Sequence, residues 1–284
     1  MASADIPLGW LADLFQKARR PVAPLKLGGY IRGALAPATA QVLFSSRYGG
    51  FFQPKRADEA MTQPLQTPKS RKRSFSDDLF GPELPTGCTF HPKSLGLRTQ
   101  MALLAAIQEI AHAAPLTKVL TKTGGYTSAA ITNCGHAGWW SDAKGYRYET
   151  RNPANGMPWP AMPDIFLRAV SACVANTPWP NFAPDACLIN FYEPGAKMGL
   201  HQDRDEKDFT QPIVTVCLGG DADFQVGGPK RSDKTSSIIV RSGDVMIMGG
   251  ESRLYFHGVR KIYSDTSPIP EIKGRYSLTF RKAL

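Results

Sequence analysis

The second half of the chain is a series of short apolar or alternating runs, and this series constrains the fold more than any other feature of the sequence. From residue 186 onward the runs span residues 187–192, 213–218, 223–226, 237–240, 244–248, 254–259 and 276–281. Glycine and proline separate them, and short runs at this spacing are typical of strands in a barrel or sandwich. We therefore expect residues 186–284 to be all-β.

The segment before these runs predicts two amphipathic helices. Within residues 95–114, the apolar positions Leu97, Met101, Leu104, Ile107 and Ile110 recur at helical spacing. A second helix is expected over residues 161–174, between two proline-rich stretches that cannot continue a helix. The predicted fold class is therefore mainly β with a helical, loop-rich front half over residues 95–185, an α+β arrangement.

The N-terminal part of the chain differs in composition from the rest. Residues 1–73 hold 12 Lys and Arg against 4 Asp and Glu, so they contribute +8 of the formal net charge of +10. They mix proline, alanine, serine and glycine without a sustained period, which is typical of disorder. We expect a disordered basic leader over residues 1–86 and one globular domain over residues 87–284. Residues 74–284 hold only the remaining +2, so charge alone does not indicate a nucleic-acid partner.

Two interpretations of the leader stay open. Apolar residues near helical spacing between Leu8 and Ala18, beside Lys17 and Arg19, fit either an organelle transit peptide or a short fluctuating helix, and we favour the helix. A further hypothesis is that the natural chain begins at Met61. The five cysteines form no CxxC pair, and the sequence has neither a membrane-spanning apolar window nor a secretory signal. We expect a monomer in a cytoplasmic compartment, away from membranes.

Two of the five histidines lie in the β-rich half beside a carboxylate. His201 and Asp203 are two residues apart, so on a strand they would face the same side, and His257 comes from a later run. Two histidines and one carboxylate form the facial triad of non-heme Fe(II) enzymes, which leaves positions open for a chelating cosubstrate and O2. An H-x-D triplet alone occurs by chance in many chains, so this hypothesis needs support.

The last run supplies that support. Arg275 and Arg281 are six residues apart and share a strand face, and an inward guanidinium is costly unless it meets an anion. A dicarboxylate that chelates iron through its keto-acid end and is held by arginine at the other end meets this demand, which predicts 2-oxoglutarate. Asn190 and Tyr192 share another strand face and can hydrogen-bond a carboxylate, although either can equally be a polar residue at a strand edge.

Together these features resemble the AlkB family of Fe(II)- and 2-oxoglutarate-dependent nucleic-acid repair dioxygenases. The segments that carry the resemblance span residues 124–126, 132–136, 138–139, 145–146, 158–163, 190–205, 249–253 and 275–281. The resemblance implies a double-stranded β-helix (jelly roll) core over residues 186–284 and a nucleotide-recognition lid within residues 95–185.

The resemblance also assigns roles to residues of the site. It implies that the iron ligands, and hence the catalytic residues, are His201, Asp203 and His257, and that 2-oxoglutarate is held by Asn190, Tyr192, Arg275, Ser277 and Arg281. Ser277 stands where the family has asparagine, so one hydrogen bond to the cosubstrate is in question. Contacts with the substrate base or its backbone fall to Trp139, Tyr146, Lys197, Gln202, Asp205 and Arg231.

The implied reaction is oxidative demethylation of N-alkylated DNA bases, such as 1-methyladenine and 3-methylcytosine, with release of succinate, CO2 and formaldehyde. Such bases are cationic and pair poorly, so they are easily flipped out of a duplex. The expected partner is alkylated DNA, as a single strand or a flipped base, with RNA as an alternative. The alternative function is the same fold acting on RNA, a protein or a small molecule. Without the resemblance, Trp139 would more often be a residue that packs in the core, and Asp205 would more often be an acid exposed to solvent.

Overall fold

The computed structural model describes residues 84–122 and 124–284. Several expectations concern residues outside the described ranges. They are the disorder of the leader, its transit-peptide and helix alternatives, and the start at Met61. The helices are α1 (Leu97–Ala113) and α2 (Asp164–Val174), and a 3-10 turn spans Gly250–Leu254. The strands are β1 (Cys88–His91), β2 (Ala130–Gly135), β3 (Gly138–Asp142), β4 (Gly145–Glu149), β5 (Ala186–Tyr192), β6 (Met198–His201), β7 (Ile213–Gly219), β8 (Ala222–Val226), β9 (Ser236–Val240), β10 (Val245–Met248), β11 (His257–Ile262) and β12 (Arg275–Arg281).

The strands form two larger antiparallel sheets and one separate hairpin. The six-stranded sheet has the order β1-β10-β7-β12-β5-β2, the four-stranded sheet has the order β6-β11-β8-β9, and β3 pairs with β4. Residues of both larger sheets line one cavity. This arrangement confirms the predicted fold class, a mainly β, jelly-roll-like core with helices. Neither helix of the described part is long and apolar enough to cross a membrane.

The front half is less helical than the sequence suggests. It also supplies β2 to the six-stranded sheet and forms the β3–β4 hairpin, while β1, which precedes it in the chain, lies at the edge of that sheet. Strand β2 is buried almost throughout, so it shows no apolar and polar alternation that would mark it in the sequence. Helix α2 begins at Asp164 rather than at residue 161, because Pro163 caps it in an extended conformation. The run at residues 254–259 divides between the 3-10 turn and β11, which starts at His257.

Side chains along the central strands point alternately into the apolar core and into the cavity. On β12, Leu278 and Phe280 pack into the main apolar core, whereas the odd-numbered residues from Arg275 to Arg281 line the cavity. The core side of this sheet is covered by both helices, and Phe166 of α2 meets Phe280 edge to face at 5.7 Å between ring centroids. Burial of each such large apolar side chain contributes about 1.5–3 kcal/mol. Packing of the helices therefore fixes which face of the sheet carries polar groups into the cavity.

Candidate active site

A cavity of about 500 Å³ lies within the β-rich core. Its lining includes all five residues expected to hold the cosubstrate, which are Asn190, Tyr192, Arg275, Ser277 and Arg281. They come from neighbouring strands, since β12 pairs with β5 so that Arg275 lies opposite Tyr192 and Ser277 lies opposite Asn190. Sheet register therefore gathers these five side chains on one wall.

Backbone pairing also brings the two histidines together. His201 ends β6, His257 begins β11, and the two residues are direct register partners with ring centroids 4.4 Å apart. Asp203 lies just beyond β6, so the shared strand face that the sequence suggests is not what positions it. Its carboxylate nevertheless lies 3.6 Å from Nε2 of His201 and 3.9 Å from Nε2 of His257. One nitrogen or oxygen from each of the three residues lies within 4.8 Å of the others.

Hydrogen bonds to the main chain orient both imidazoles. Nδ1 of His201 lies 3.0 Å from the carbonyl oxygen of Gly199, and Nδ1 of His257 lies 3.1 Å from that of Tyr255. A carbonyl only accepts, so each Nδ1 carries the hydrogen and each Nε2 keeps its lone pair facing Asp203. This is the outer arrangement by which proteins orient histidine ligands toward a metal.

The charge states of the triad suit a divalent cation. Burial lowers the pKa of His257 to about 4, with a further contribution from the neighbouring His201, so the imidazole is neutral at neutral pH. Burial by itself would raise the pKa of Asp203, but the charge of Arg281 and its hydrogen bonds to this carboxylate outweigh burial and hold this pKa well below its usual range. Two imidazoles and one carboxylate are the donor set that non-heme Fe(II) sites use.

Arg281 contacts the metal-ligand carboxylate directly. Its Nη2 and Nε lie 2.6 and 3.1 Å from Oδ2 of Asp203, and its Nε lies 3.3 Å from Oε1 of Glu206. Two carboxylates of the chain itself are therefore the anions that most of this guanidinium meets. Its remaining nitrogen, Nη1, is buried without a hydrogen-bond partner in the described part of the chain. A buried unsatisfied donor of a charged group costs more than about 1–3 kcal/mol unless a ligand meets it.

Arg275 presents a different environment at the other end of β12. Its Nη1 donates to the carbonyl oxygens of Gly220 and Val240 at 2.8 and 3.1 Å, and its side chain is buried. Among the described residues it forms no ion pair with a carboxylate. A buried cation at Arg275 and an unsatisfied donor at Arg281 fit the two ends of a dicarboxylate. Ser277 lies between them on the same strand face.

Aromatic and polar residues from other elements complete the lining. Trp139 and Tyr146 of the hairpin stack at 5.5 Å between ring centroids, and Nε1 of Trp139 donates to Oδ2 of Asp205 at 2.8 Å. Lys197 and Gln202 also line the cavity, and the amide of Gln202 donates to the carbonyl oxygen of Leu254 at 2.5 Å. Five of the six residues expected to contact substrate therefore share the cavity with the triad.

Arg231 is the exception. It is not part of the cavity lining; its guanidinium donates to the carbonyl oxygen of Leu200 at 2.5 Å and lies 4.9 Å above the ring of Phe256. A contact between Arg231 and the backbone of a bound nucleic acid, outside the cavity, remains a prediction.

Three residues near Asp203 were not expected at the site from the sequence. Tyr148 and Arg253 both donate to the carboxylate of Glu206, and Arg253 also donates to the main-chain oxygen of Asp203. Glu206 had the appearance of a solvated acid within an acidic run, and Arg253 lay in a recognised segment without an assigned role. Only their burial in the folded chain distinguishes them from surface charges.

Comparison with known proteins identifies the family. Residues 87–281 match the model of the 2OG-Fe(II) oxygenase superfamily. The alpha-ketoglutarate-dependent dioxygenase AlkB of Escherichia coli is 46% identical over 182 residues, which cover 64% of this chain and 83% of that protein. The chain is a dioxygenase of the AlkB family. AlkB of Salmonella typhimurium is 43% identical over 212 residues, covering 72% of this chain and 97% of that protein. The solved structure of OsALKBH1 has 29% identity and a TM-score of 0.61, covering 70% of this chain and 98% of that one.

Membership of the AlkB family agrees with the chemistry of the cavity. The enzyme uses Fe(II), 2-oxoglutarate and O2, and the family acts on nucleic acids. The His201, Asp203 and His257 donor set fits Fe(II), and the two arginines offer the cationic and donor groups that a dicarboxylate cosubstrate needs. The residues present in this AlkB-family chain therefore fit the groups that the family binds.

Proposed function

We propose that this enzyme repairs DNA by oxidative demethylation of N-alkylated bases, with 1-methyladenine and 3-methylcytosine as substrates. The observation that carries the proposal is that one cavity joins the His201, Asp203 and His257 triad to a stacked aromatic pair and an acid at its edge. Bound iron, with 2-oxoglutarate and O2, supplies the oxidising power that removes the methyl group as formaldehyde. The residues of the chain position the cosubstrate and the base.

The cosubstrate is proposed to lie along β12. The buried charge of Arg275 attracts the carboxylate of 2-oxoglutarate that is remote from its keto group. Nη1 of Arg281 donates to the carboxylate at the keto-acid end. Tyr192 and Asn190 lie opposite this strand and add hydrogen bonds to the ligand. Burial raises the pKa of the Tyr192 phenol above its usual range, so its hydroxyl remains a donor at neutral pH. Ser277 offers a short hydroxyl at the centre of the same wall.

The base is proposed to stack on Trp139, with His201 on its other face. Stacking on an aromatic side chain contributes about 1–3 kcal/mol per base without selecting its sequence. Asp205 accepts a hydrogen bond from Trp139 through Oδ2, which leaves Oδ1 to accept one from an exocyclic amino group of the base. A carboxylate at this point favours a cationic methylated base over the neutral normal base. Lys197 and Arg231 are proposed to contact phosphates, which positions the strand without reading its sequence.

We infer that the enzyme acts as a monomer on single-stranded DNA or on a base flipped out of a duplex. We also place it in the bacterial cytoplasm, where cell fractionation would test its location. A matched RNA oligonucleotide in the assay below separates DNA from RNA as the substrate.

The test is repair of a defined oligonucleotide by the full chain. The protein is loaded anaerobically with Fe(II) and 2-oxoglutarate, then mixed with O2 and an oligonucleotide that contains 1-methyladenine or 3-methylcytosine, and the bases are measured by mass spectrometry. We expect demethylated base and succinate in near-equal amounts. Asp203→Ala should abolish both, whereas the control Asp208→Ala, at an acid that accepts hydrogen bonds from Thr210, should retain both. If the wild-type protein yields neither repair nor substrate-stimulated succinate, the proposed function is wrong.

A further inference from the structure

A group of charged side chains is buried behind the iron-ligand carboxylate. It consists of Asp203, Glu206, Arg253 and Arg281, here called the buried ionic cluster, and Tyr148 of the hairpin joins it through its hydroxyl. The side chains of Arg253 and Glu206 are only 3% and 2% exposed. Two carboxylates and two guanidiniums balance in charge, which is how buried ions are tolerated.

Glu206 is the member of the cluster that contacts all the others except Asp203. Its Oε1 accepts from the hydroxyl of Tyr148 at 2.6 Å and lies 3.3 Å from Nε of Arg281. Its Oε2 accepts from Nη2 of Arg253 at 3.0 Å. These three partners belong to the hairpin, to β12 and to the 3-10 turn before β11. One carboxylate therefore joins three separate segments of the chain.

Both arginines continue from Glu206 to the metal ligand. Arg281 donates to the carboxylate of Asp203 through Nη2 and Nε, and Nη1 of Arg253 donates to the main-chain oxygen of Asp203 at 2.7 Å. Asp203 is thus held at both its side chain and its backbone by the guanidiniums that Glu206 neutralises. A displacement of Glu206 changes the balance of forces on the metal-ligand carboxylate.

Tyr148 links the same cluster to the hairpin. Tyr148 of β4 is the register partner of Trp139 of β3, so the aromatic residue proposed to stack the base and the residue that contacts Glu206 lie on two directly paired strands. The hairpin is further held by the side chain of Asn133, which exchanges hydrogen bonds of 3.0 and 3.1 Å with the backbone of Trp139. Movement of the hairpin at Trp139 therefore also moves the hydroxyl that contacts Glu206.

We propose that Tyr148 and Glu206 are positioning residues that couple closure of the β3–β4 hairpin to the orientation of Asp203 at the metal. The route runs from the hairpin through Tyr148, Glu206 and Arg281 to Asp203. This inference rests on the proposed function only for the identity of the base on which the hairpin closes. Coupling between two sites is reciprocal, so loading the metal site must also stabilise the closed hairpin.

The first test uses this reciprocity and requires no nucleic acid. Amide hydrogen exchange in residues 138–149 of the full chain is measured anaerobically, with and without Fe(II) and 2-oxoglutarate. In the wild-type protein the ligands should slow this exchange about fivefold or more, the lower range of typical coupling energies. In Tyr148→Phe, which keeps the ring and removes the hydroxyl, the ligand-dependent protection should fall below about twofold. The control Tyr263→Phe, at a ring that contacts Lys261 away from the triad, should behave as wild type.

Two further readouts separate positioning from a general loss of structure. Tyr148→Phe at saturating ligand should still form the visible charge-transfer band of the Fe(II)–2-oxoglutarate chelate. With the methylated oligonucleotide and O2, it should produce several succinate molecules per demethylated base, because cosubstrate turnover no longer depends on hairpin closure. Glu206→Gln should show the same protection loss, and Glu206→Asp should partly restore it.

If Tyr148→Phe retains wild-type protection, or if it loses the charge-transfer band altogether, the coupling role is wrong. If the wild-type hairpin shows no ligand-dependent protection, the coupling is likewise wrong. If that protection appears but the wild-type enzyme repairs no oligonucleotide, the coupling stands and the proposed substrate is wrong.

Discussion

Replacement of Arg281 by methionine should strongly destabilise the metal-free protein. The substitution keeps much of the side-chain volume but removes the cation that lies 2.6 Å from Asp203 and 3.3 Å from Glu206. These carboxylates are only 11% and 2% exposed, so water cannot replace the lost charge. Removal of one partner of a buried ion pair typically costs about 3–5 kcal/mol. Arg253 still neutralises Glu206, so we expect a loss near the lower figure.

The assay is urea or thermal unfolding of the metal-free protein. A loss of about 3 kcal/mol corresponds to a fall in Tm of roughly 6–12 °C for a domain of this size. Mn(II) should raise the Tm of Arg281→Met more than that of the wild type, because a cation bound at Asp203 replaces part of the missing charge. The matched control is Arg241→Met, since Arg241 is 55% exposed and lies 3.7 Å from Asp221. An exposed pair contributes about 0–1 kcal/mol.

Equal destabilisation by Arg281→Met and Arg241→Met would refute the reasoning. It would mean that Asp203 is not a buried charge that depends on Arg281 in the absence of metal. A larger loss in Arg281→Met that Mn(II) fails to reduce would contradict the second step, in which the metal and the guanidinium share one carboxylate.

Three further predictions concern pH, the chain end and the hairpin. His257 has a folded pKa of about 4 against 6.5 for the free side chain, so the unfolded chain binds an additional proton between these values. Stability of the metal-free protein should therefore fall by up to about 3 kcal/mol as pH drops from 6.5 to 4, and urea unfolding of His257→Gln should show a weaker pH dependence. Asp185→Asn should cost about 1–3 kcal/mol in urea unfolding, because the Asp185 carboxylate accepts from the amides of Ala283 and Leu284 at 2.6 and 3.2 Å. Retention of full stability by Asp185→Asn would show that the C-terminus is held by other contacts. Gly138→Ala should lower the Tm and weaken oligonucleotide binding, because a Cβ there would overlap the Trp159 ring, whereas Gly199→Ala has open space and should lose less than about 0.5 kcal/mol.

Much of the fold was predictable because its local signals are strong. Helix α1 differs from its predicted range by a few residues, and most strands from β5 to β12 differ by about one residue. The period of apolar residues sets these elements, and it can be counted in any single sequence. Strands β1 to β4 and β6 lay outside the predicted runs; β2 is buried on both faces, and β6 has only four residues. The existence of β2 and β6 depends on neighbours that lie far away in the chain.

The candidate site, too, was predictable only in part from the sequence. The spacing of His201 from Asp203 and of Arg275 from Arg281, together with the family resemblance, indicated the iron and cosubstrate residues, and they do share one cavity. The reason given for Asp203 was wrong, since it lies beyond β6 and is held by Arg281 rather than by a strand face. Arg231 was grouped with the other substrate contacts, yet it packs on Phe256 outside the cavity.

By itself, the sequence determined the types of side chain and their local geometry. Alternation on β12 decided that Arg275, Ser277 and Arg281 would share a face, because side-chain direction along a strand is a property of the backbone. Only the tertiary structure decided which charges are buried together. Glu206 and Tyr148 are 58 residues apart and meet only when the hairpin packs against the jelly-roll core. Burial then turns an acid in a polar run into the residue that joins the hairpin to the metal-ligand carboxylate, since an ion inside the protein must find its partners there rather than in water.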